Sequence, residues 1–242
     1  MMSIEQQIRE EICEIGRRIY ENGMVAANDG NISVRLNEHE IICTPTGISK
    51  GYMTPECLCK IDEAGNVIEA EGGYRPSSET KMHLMVYQMR DDVKAVVHAH
   101  PAYATTYAVG GQALNKAIIS ESIVSLGCVP LAEYGLPSTQ EIPDAIKAFL
   151  PYFDCMLLEH HGVLTYGTSL TESYYRMESV ELYARLMYQT KLAGMDRELP
   201  AEVVHRLCKM REDAGMRNPE QVCRSKRVMF ACCKDCSRLY TE

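Results

Sequence analysis

Hydrophobic residues recur along the chain at two spacings, one typical of helices and one typical of strands. The helical spacing predicts helices over residues 4–21, 78–89, from 101 onward, 142–150, 170–192 and 201–212. Short apolar runs between turns predict strands over residues 32–36, 41–43, 57–61, 67–70, 95–98, 116–119, 128–132, 155–159 and 162–166. Many strand connections are too short for parallel crossovers. We therefore predict an α/β fold with a mainly antiparallel sheet and helices on both faces, and the strand order stays open.

Size and composition predict one domain spanning residues 1–242. The chain has 242 residues, 46% of them hydrophobic, which suffices for one full core. From about residue 215 the pattern has no clear period, and this tail contains Cys223, Cys232, Cys233 and Cys236. Cys233 and Cys236 could belong to a zinc or iron–sulfur site, but no second pair with this spacing is present. We therefore favour reduced thiols in the tail.

The net charge argues against some classes of binding partner, and the cysteines indicate the cellular compartment. The formal net charge is −8 with no dominant cluster of basic residues, which argues against binding to nucleic acid or to anionic membranes. No apolar run approaches the roughly 20 residues of a membrane span, and the polar N-terminus is unlike a secretory signal. The eleven cysteines, several of them inside apolar patterns, are typical of reduced thiols. We therefore expect a cytoplasmic protein.

Histidines follow two of the predicted buried strands. His98 and His100 occupy alternate positions and so project from the same face of a strand. Such a pair is half of a metal site, or else a polar strand end. A second strand ends in His160, His161 and Gly162, where the glycine allows the backbone to approach a neighbour closely. Either histidine of this strand could complete a three-histidine site with an open position, as in catalytic zinc, and a structural role for the pair stays open.

Hydroxyl and carboxylate side chains cluster at the start of a predicted helix. Ser77, Ser78 and Glu79 stand where unpaired backbone N–H groups and the helix dipole favour an anion. Ordinary capping is the alternative, with Ser78 as the N-cap and Glu79 in the first turn. The glycine turns at 29–33 and 43–47 also offer N–H groups that can form an anion-binding nest, although each can equally be a plain turn.

Five short motifs occur together in a characteristic order. They are Gly30-Asn31-Ile32-Ser33, Thr44-Pro45-Thr46-Gly47, Pro76-Ser77-Ser78-Glu79, His98-x-His100 and His161-Gly162. In this order and approximate spacing they resemble the class II aldolase/adducin superfamily, over about residues 4–212. Within the superfamily the chain is most similar to the L-fuculose-phosphate aldolases. Each motif is common by itself, and the combination carries the specificity.

The resemblance implies a fold, an assembly and a cofactor. The fold of the superfamily is a three-layer α/β/α sandwich. The usual assembly is a homotetramer with active sites at the subunit interfaces. The implied cofactor is Zn²⁺, one ion per subunit, although ligand type alone does not distinguish zinc from manganese or cobalt.

The resemblance also assigns roles to individual residues. Zinc would be bound by His98, His100 and His161, which leaves His160 as the spare histidine. Glu79 would be a fourth ligand in the resting enzyme and the acid/base once substrate displaces it. The substrate phosphate would be held by Asn31, Thr46, Gly47, Ser77 and Ser78.

The chain departs from the fuculose-phosphate pattern near residue 121. In that family a tyrosine of a neighbouring subunit helps to protonate the aldehyde oxygen, whereas this chain has Glu121 at or near that position. A carboxylate there is similar to ribulose-phosphate epimerases and methylthioribulose-phosphate dehydratases. We expect Glu121 to replace the tyrosine as proton donor, with a solvated loop residue as the alternative. Tyr240 is the candidate for the tyrosine that the family uses from its C-terminal tail.

His83 lies one helical turn after Glu79 and on the same side of the helix. It could orient a residue of the metal site, or it could be a histidine packed in the core without a role in the site.

The predicted function is a metal-dependent aldolase. It would cleave a ketose 1-phosphate, L-fuculose 1-phosphate or similar, to dihydroxyacetone phosphate and a small aldehyde such as lactaldehyde. Cleavage leaves an enediolate whose charge a divalent metal stabilises, and no lysine Schiff base is needed. The alternatives are a related sugar-phosphate dehydratase, decarboxylase or 4-epimerase and, outside catalysis, an adducin-like binding module. The aldehyde and the stereochemistry stay open.

Overall fold

The computed structural model describes residues 2–216 of the chain. The tail residues named above lie outside this part: Cys223, Cys232, Cys233, Cys236 and Tyr240. The helices are α1 Ile4–Glu21, α2 Thr80–Met89, α3 Ala102–Val109, α4 Ser120–Ser125, α5 Glu141–Lys147, α6 Leu170–Leu192 and α7 Ala201–Asp213. The strands are β1 Asn31–Arg35, β2 Glu40–Cys43, β3 Cys59–Asp62, β4 Val67–Glu69, β5 Ala95–Ala99, β6 Leu131–Ala132, β7 Cys155–Leu158 and β8 Gly162–Gly167. None of these helices is long and apolar enough to cross a bilayer.

One eight-stranded sheet forms the middle layer, in the order β4-β3-β2-β1-β5-β8-β7-β6. All neighbouring pairs are antiparallel except β6 and β7, which confirms the predicted, mainly antiparallel sheet. The central strand β5 lies between β1 and β8, with Asn31 opposite His98 and Val163 opposite Ala99. The beginnings of β1 and β8 therefore lie beside the end of β5.

Different helices cover the two faces of the sheet. Val97 of β5 packs in a core with side chains of α1, α3 and α6, whereas Val96 packs in a core with side chains of α2, α5 and α7. Successive strand residues point to opposite faces, so His98 shares the face of Val96 and is directed toward the α2 layer. The helix–sheet–helix arrangement confirms the three-layer sandwich.

The predicted strand at residues 116–119 is wrong. The Lys116 carbonyl accepts a hydrogen bond from the Tyr183 hydroxyl at 2.5 Å, and the Ala117 carbonyl accepts from the Leu199 N–H at 2.7 Å. Because these backbone groups bond to the region of α6 and α7, they are not available to a neighbouring strand. Helix α4 follows this segment and was not predicted, and the strand predicted after it is reduced to the two residues of β6.

The cysteines of the described residues are not joined in disulfides, and most of them are buried. Burial raises the pKa of Cys43 and of Cys155 to about 12. These thiols are therefore neutral at pH 7 and pack as small hydrophobic side chains.

Candidate active site

The ring of His98 is fixed by the neighbouring strand β8. His98 is fully buried, and its Nδ1 donates to the carbonyl oxygen of Val163 at 2.9 Å. A carbonyl can only accept, so the proton of the neutral ring lies on Nδ1 and the lone pair of Nε2 faces the other site residues. Burial lowers the pKa of His98, and the Glu79 charge opposes this only in part. The ring is therefore neutral at pH 7.

His100 and His161 form a cluster with His98. The three ring centroids lie 4.7, 4.9 and 5.1 Å apart, and the Nε2 atoms of His98 and His100 are 3.0 Å apart. One nitrogen of each ring lies within 4.8 Å of the corresponding atoms of the other two. Burial and the neighbouring His161 lower the pKa of His100. Imidazole nitrogens this close together can bind one cation through their lone pairs.

Gly162 allows the strand β8 to approach the cluster. A Cβ atom at this position would lie 2.6 Å from the Ala99 carbonyl oxygen and 2.6 Å from Cδ2 of His100. No larger residue fits without displacing one of these groups. The adjacent His160 is exposed, with a φ of 53°, and is not part of the cluster. Of the two histidines that the sequence left open, the structure brings His161 to the site.

Glu79 faces the histidines from the start of α2. Its Oε2 lies 3.4 Å from Nε2 of His98, and its Oε1 lies 3.1 Å from Nε2 of His161. Oε2 also accepts from Nδ2 of Asn31 at 2.8 Å. Burial raises the pKa of Glu79, but hydrogen bonds from His161 and Asn31 stabilise the ionised form, and the pKa is held below its usual range. The carboxyl group is therefore ionised at neutral pH.

Ser78 is not the N-cap of α2, so the prediction that it caps this helix is wrong. Helix α2 begins at Thr80 with Glu79 in the N-cap position, and the Glu79 side chain makes no capping bond. Instead, the Ser77 carbonyl accepts from the N–H of Thr80 at 3.1 Å and from its hydroxyl at 2.7 Å. Ser78 is exposed, and its hydroxyl accepts from the Ser138 hydroxyl at 2.7 Å. Ordinary capping therefore does not explain the Glu79 carboxylate, which is directed at the histidines.

Beside the cluster, two side chains on one face of β1 contact two side chains on one side of α2. Asn31 and Ser33 lie on one face of β1, and Glu79 and His83 lie one helical turn apart. Asn31 contacts Glu79, and the Ser33 hydroxyl lies 2.7 Å from Nδ1 of His83 and 2.8 Å from the Tyr87 hydroxyl. Burial lowers the pKa of His83 to about 4. His83 is therefore a neutral residue of a buried network behind Glu79, and it is not a member of the three-histidine cluster.

Hydrogen bonds hold the three segments predicted to bind phosphate close to one another. The Thr44 N–H donates to the Ile32 carbonyl at 3.0 Å, and the Ile32 N–H donates to Oγ1 of Thr44 at 3.1 Å. Two hydrogen bonds attach the third segment, 75–79, to the second. The N–H of Thr46 donates to the carbonyl of Arg75 at 2.9 Å, and the N–H of Ser77 donates to the carbonyl of Thr44 at 3.2 Å. The predicted phosphate residues on these segments are Asn31, Thr46, Gly47, Ser77 and Ser78.

The donor set of the cluster fits a divalent transition metal. Neutral imidazoles and a carboxylate are ligand types that zinc and related ions accept. The lone pair of His98 Nε2 and the ionised carboxylate of Glu79 face each other at 3.4 Å, an arrangement that is repulsive unless positive charge lies between them. His98, His100 and His161 thus form a possible three-histidine metal site, with Glu79 as an additional oxygen donor.

Two contacts of the site were not predicted from the sequence. Oδ2 of Asp29 lies 3.5 Å from Nδ1 of His100, and Ser138 contacts Ser78 from the loop after β6. The position of Asp29 inside a glycine turn was a signal that could have identified it, whereas no sequence signal indicates Ser138. Glu121 lies exposed on the first turn of α4 and is not part of the histidine cluster.

Comparison with known proteins identifies relatives that cover most of the chain. An L-fuculose phosphate aldolase of Methanococcus maripaludis is 33% identical over 178 residues, which are 74% of this chain and 94% of the relative. A 5-deoxy-D-ribulose 1-phosphate aldolase of Bacillus thuringiensis is 32% identical over 215 residues, 87% of this chain and 98% of the relative. A 3-oxo-tetronate 4-phosphate decarboxylase of Haemophilus influenzae is 30% identical over 184 residues, 74% of this chain and 86% of the relative.

The fold and the family model agree with these relatives. The solved structure of an L-fuculose 1-phosphate aldolase matches with a TM-score of 0.77 and 29% identity, covering 89% of this chain and 99% of that structure. The model of the class II aldolase and adducin N-terminal domain matches residues 10–188, a range that contains the histidine cluster, Glu79 and the three turn segments. This chain belongs to the class II aldolase and adducin N-terminal domain family.

Proposed function

We propose that this protein is a metal-dependent aldolase that cleaves a ketose 1-phosphate, L-fuculose 1-phosphate or similar, to dihydroxyacetone phosphate and a small aldehyde. The observation that carries the proposal is the Glu79 carboxylate, which faces His98 and His161 next to His100. An ionised carboxylate beside metal ligands suits proton transfer at a carbon next to a carbonyl. Two of the relatives carry aldolase names for sugar phosphates, which supports this reaction class.

We expect one zinc ion per subunit, held by His98, His100 and His161, with Glu79 as a fourth ligand before substrate binds. When bound, a divalent ion supplies Lewis acidity that stabilises the negative charge developing on the substrate oxygens. The Val163 carbonyl keeps His98 in the tautomer whose Nε2 can act as a ligand. Glu79 is ionised before substrate binds, so once displaced it would first take a proton from a substrate hydroxyl or from solvent. The protonated carboxyl group would then deliver this proton to the carbon that has lost its bond to the aldehyde fragment.

The three turn segments provide the site for the substrate phosphate. Thr46, Gly47, Ser77 and Ser78 offer hydroxyl and backbone N–H groups, and the start of α2 adds a favourable helix dipole. The amide of Asn31 donates to Glu79, so displacement of the carboxylate makes this donor available to substrate. Asn31 would thereby link the phosphate end of the substrate to the acid/base.

We propose that Glu121 acts on the aldehyde oxygen from a neighbouring subunit of a homotetramer. Its exposure on α4 leaves it available to another chain, which supports a role across an interface. When the carbon–carbon bond breaks, the hydroxyl that becomes the aldehyde loses its proton, and a carboxylate is a suitable acceptor. In the reverse direction the same group returns that proton. We expect the enzyme to act in the cytoplasm.

Decarboxylation of a sugar-acid phosphate is the second candidate function. It is favoured by the relative named 3-oxo-tetronate 4-phosphate decarboxylase and by the carboxylate of Glu121 where fuculose-phosphate aldolases are expected to have a tyrosine. Both reactions break a carbon–carbon bond next to a carbonyl and leave negative charge on the same two oxygens. The two candidates therefore share the metal site and differ in the leaving fragment, aldehyde or carbon dioxide.

A substrate comparison tests the proposal. The chain is stripped with a chelator, reloaded separately with zinc, manganese or cobalt, and incubated with L-fuculose 1-phosphate, 5-deoxy-D-ribulose 1-phosphate or 3-oxo-tetronate 4-phosphate. We expect dihydroxyacetone phosphate from a ketose 1-phosphate, detected by a coupled dehydrogenase, and none from His100→Ala treated identically. Carbon dioxide released only from the third compound would establish the decarboxylase instead. A folded protein that binds no metal and cleaves none of them would favour an adducin-like binding module.

A further inference from the structure

Lys50 is a buried cation next to the turns predicted to bind phosphate. It lies in a short 3-10 turn, Lys50–Tyr52, and only 1% of its surface is exposed. Its Nζ donates to the carbonyl oxygen of Asn28 at 3.1 Å and to that of Ile48 at 2.7 Å. Asn28 precedes the Gly30-Asn31 turn and Ile48 follows Thr46-Gly47, so one ammonium group joins the two glycine turns.

The charge of Lys50 is poorly compensated within the described residues. Lys50 forms no ion pair with a carboxylate of residues 2–216, although the charge of Asp29 acts on it from a longer distance and favours the protonated form. Burial lowers the pKa of Lys50 to about 8, so the group still carries a proton at pH 7. Burying an ammonium group is costly, and the hydrogen-bond partners of this one are the neutral carbonyls of Asn28 and Ile48.

The predicted phosphate residues themselves carry no positive charge. They supply hydroxyl groups, an amide and backbone N–H groups from Asn31, Thr46, Gly47, Ser77 and Ser78. Arg75 adjoins this set, but its side chain is exposed, where water and salt screen its charge. Lys50 is buried and its ammonium group is bonded to both glycine turns, so its interaction with an anion on those turns would be screened far less.

We propose that Lys50 is a positioning residue for the substrate phosphate: it holds the two glycine turns together and provides a buried positive charge behind them. This inference rests on the proposed function, because it requires a phosphate at these turns. Lys50 does not touch the reacting carbons, so its loss should weaken binding of phosphorylated ligands while the chemical step is largely kept. A purely structural lysine would lower stability without changing the preference for phosphate.

Inorganic phosphate is a suitable probe, because its binding needs no turnover. Calorimetric titrations of the full chain, both chelator-treated and metal-loaded, compare wild type with Lys50→Met and Lys50→Arg. Ser49→Ala is the matched control, since Ser49 is the neighbouring residue and its hydroxyl has no hydrogen-bond partner among residues 2–216. We expect Lys50→Met to weaken phosphate binding by roughly tenfold or more, Lys50→Arg to recover part of the loss, and Ser49→Ala to bind as wild type.

A second measurement on the wild-type chain covers the case in which Lys50→Met does not fold. With lysine labelled by carbon-13 at Cε, the titration midpoint of Lys50 should move to higher pH when phosphate is bound, since the anion favours the protonated amine. Equal phosphate affinity in folded wild type and Lys50→Met, or an unmoved midpoint, would overturn the role of Lys50 alone. A wild-type chain that binds no phosphate would overturn the proposed function together with this inference.

Discussion

Replacing Gly162 by alanine should damage the histidine cluster through a single methyl group. The new Cβ would lie 2.6 Å from the Ala99 carbonyl oxygen and 2.6 Å from Cδ2 of His100, whereas ordinary contacts begin at 3.4 Å. Both contacts must be relieved by about 0.8 Å, the difference between these distances, so the His100 ring and the β5 backbone both shift relative to β8. Metal–ligand distances tolerate deviations of only about 0.2 Å, so a displacement of this size removes His100 from correct ligation.

Two measurements distinguish the expected effects of Gly162→Ala on stability and on metal binding. Overpacking of this kind costs about 1–3 kcal/mol in the free energy of unfolding, measured by urea denaturation of the metal-free chain. Metal affinity should fall by at least the roughly 10–100-fold seen when groups that orient a ligand are removed. Cobalt is the best probe, because thiolate ligands add a charge-transfer absorption that histidine ligands lack, and the cysteines of the chain can thus be distinguished from the cluster.

Gly110→Ala is the control for adding a methyl group at a glycine. A Cβ at Gly110 would lie 3.4 Å from its nearest neighbour, an ordinary contact, and its φ of −77° is acceptable for alanine. We expect this variant to bind cobalt as the wild type does. If Gly162→Ala kept wild-type cobalt affinity and the same spectrum while remaining folded, the close approach of β8 to His100 would not matter for the site, and the three-histidine interpretation would be refuted.

The remaining predictions concern three other groups around the cluster. Glu79→Gln should retain the fold but reduce kcat by roughly 10²–10⁴-fold on the substrate identified above, and a loss below tenfold would exclude Glu79 as the acid/base. Asp29→Asn should weaken metal binding by roughly 10–100-fold in a chelator competition, because the carboxylate 3.5 Å from His100 Nδ1 helps to orient that ring; unchanged affinity would contradict this role. Between pH 6.5 and about 4 the unfolded chain binds a proton at His83 that the folded chain does not, so the free energy of unfolding should fall as pH falls through this window. His83→Gln should reduce that loss by on the order of 3 kcal/mol in urea titrations at both ends of the window, and a slope equal to that of wild type would show that His83 is not responsible.

The sequence predicted the fold class and most elements because their apolar patterns are regular. Helix α1 and the long helix α6 match the predicted ranges, and the mainly antiparallel sheet follows from the short connections. The prediction of a strand at 116–119 failed because an apolar run alone does not show which groups form hydrogen bonds with its backbone. Here Tyr183 and Leu199 donate to its carbonyl groups. That information lies in tertiary contacts far along the chain, and a local pattern does not contain it.

Site residues could be predicted from the sequence where they lie at the end of a predicted strand or in a predicted turn. The alternation at the end of β5 placed His98 and the following His100 together, but only the three-dimensional contacts separate His161 from His160. The roles of Asp29 and Lys50 depend on which turn packs against which ring or carbonyl. The glycine turn around Asp29 marks that residue as a candidate, but local sequence does not show that it contacts His100 or that Lys50 joins two turns. The proposed role of Glu121 requires a neighbouring chain, and this role stays a prediction.

The placement of the candidate site at the ends of the three central strands has a consequence for how the chain folds. Asn31, His98 and His161 come from segments separated by up to 130 residues (161 minus 31), and they meet only when β1, β5 and β8 are paired. Long-range pairings of this kind close late, because the entropy of the intervening loops must be overcome first. Partly folded forms that lack β8 would present at most two of the histidines, so tight metal uptake during refolding should coincide with completion of the sheet. The ion would then stabilise the native state by mass action while contributing little to the early steps of folding.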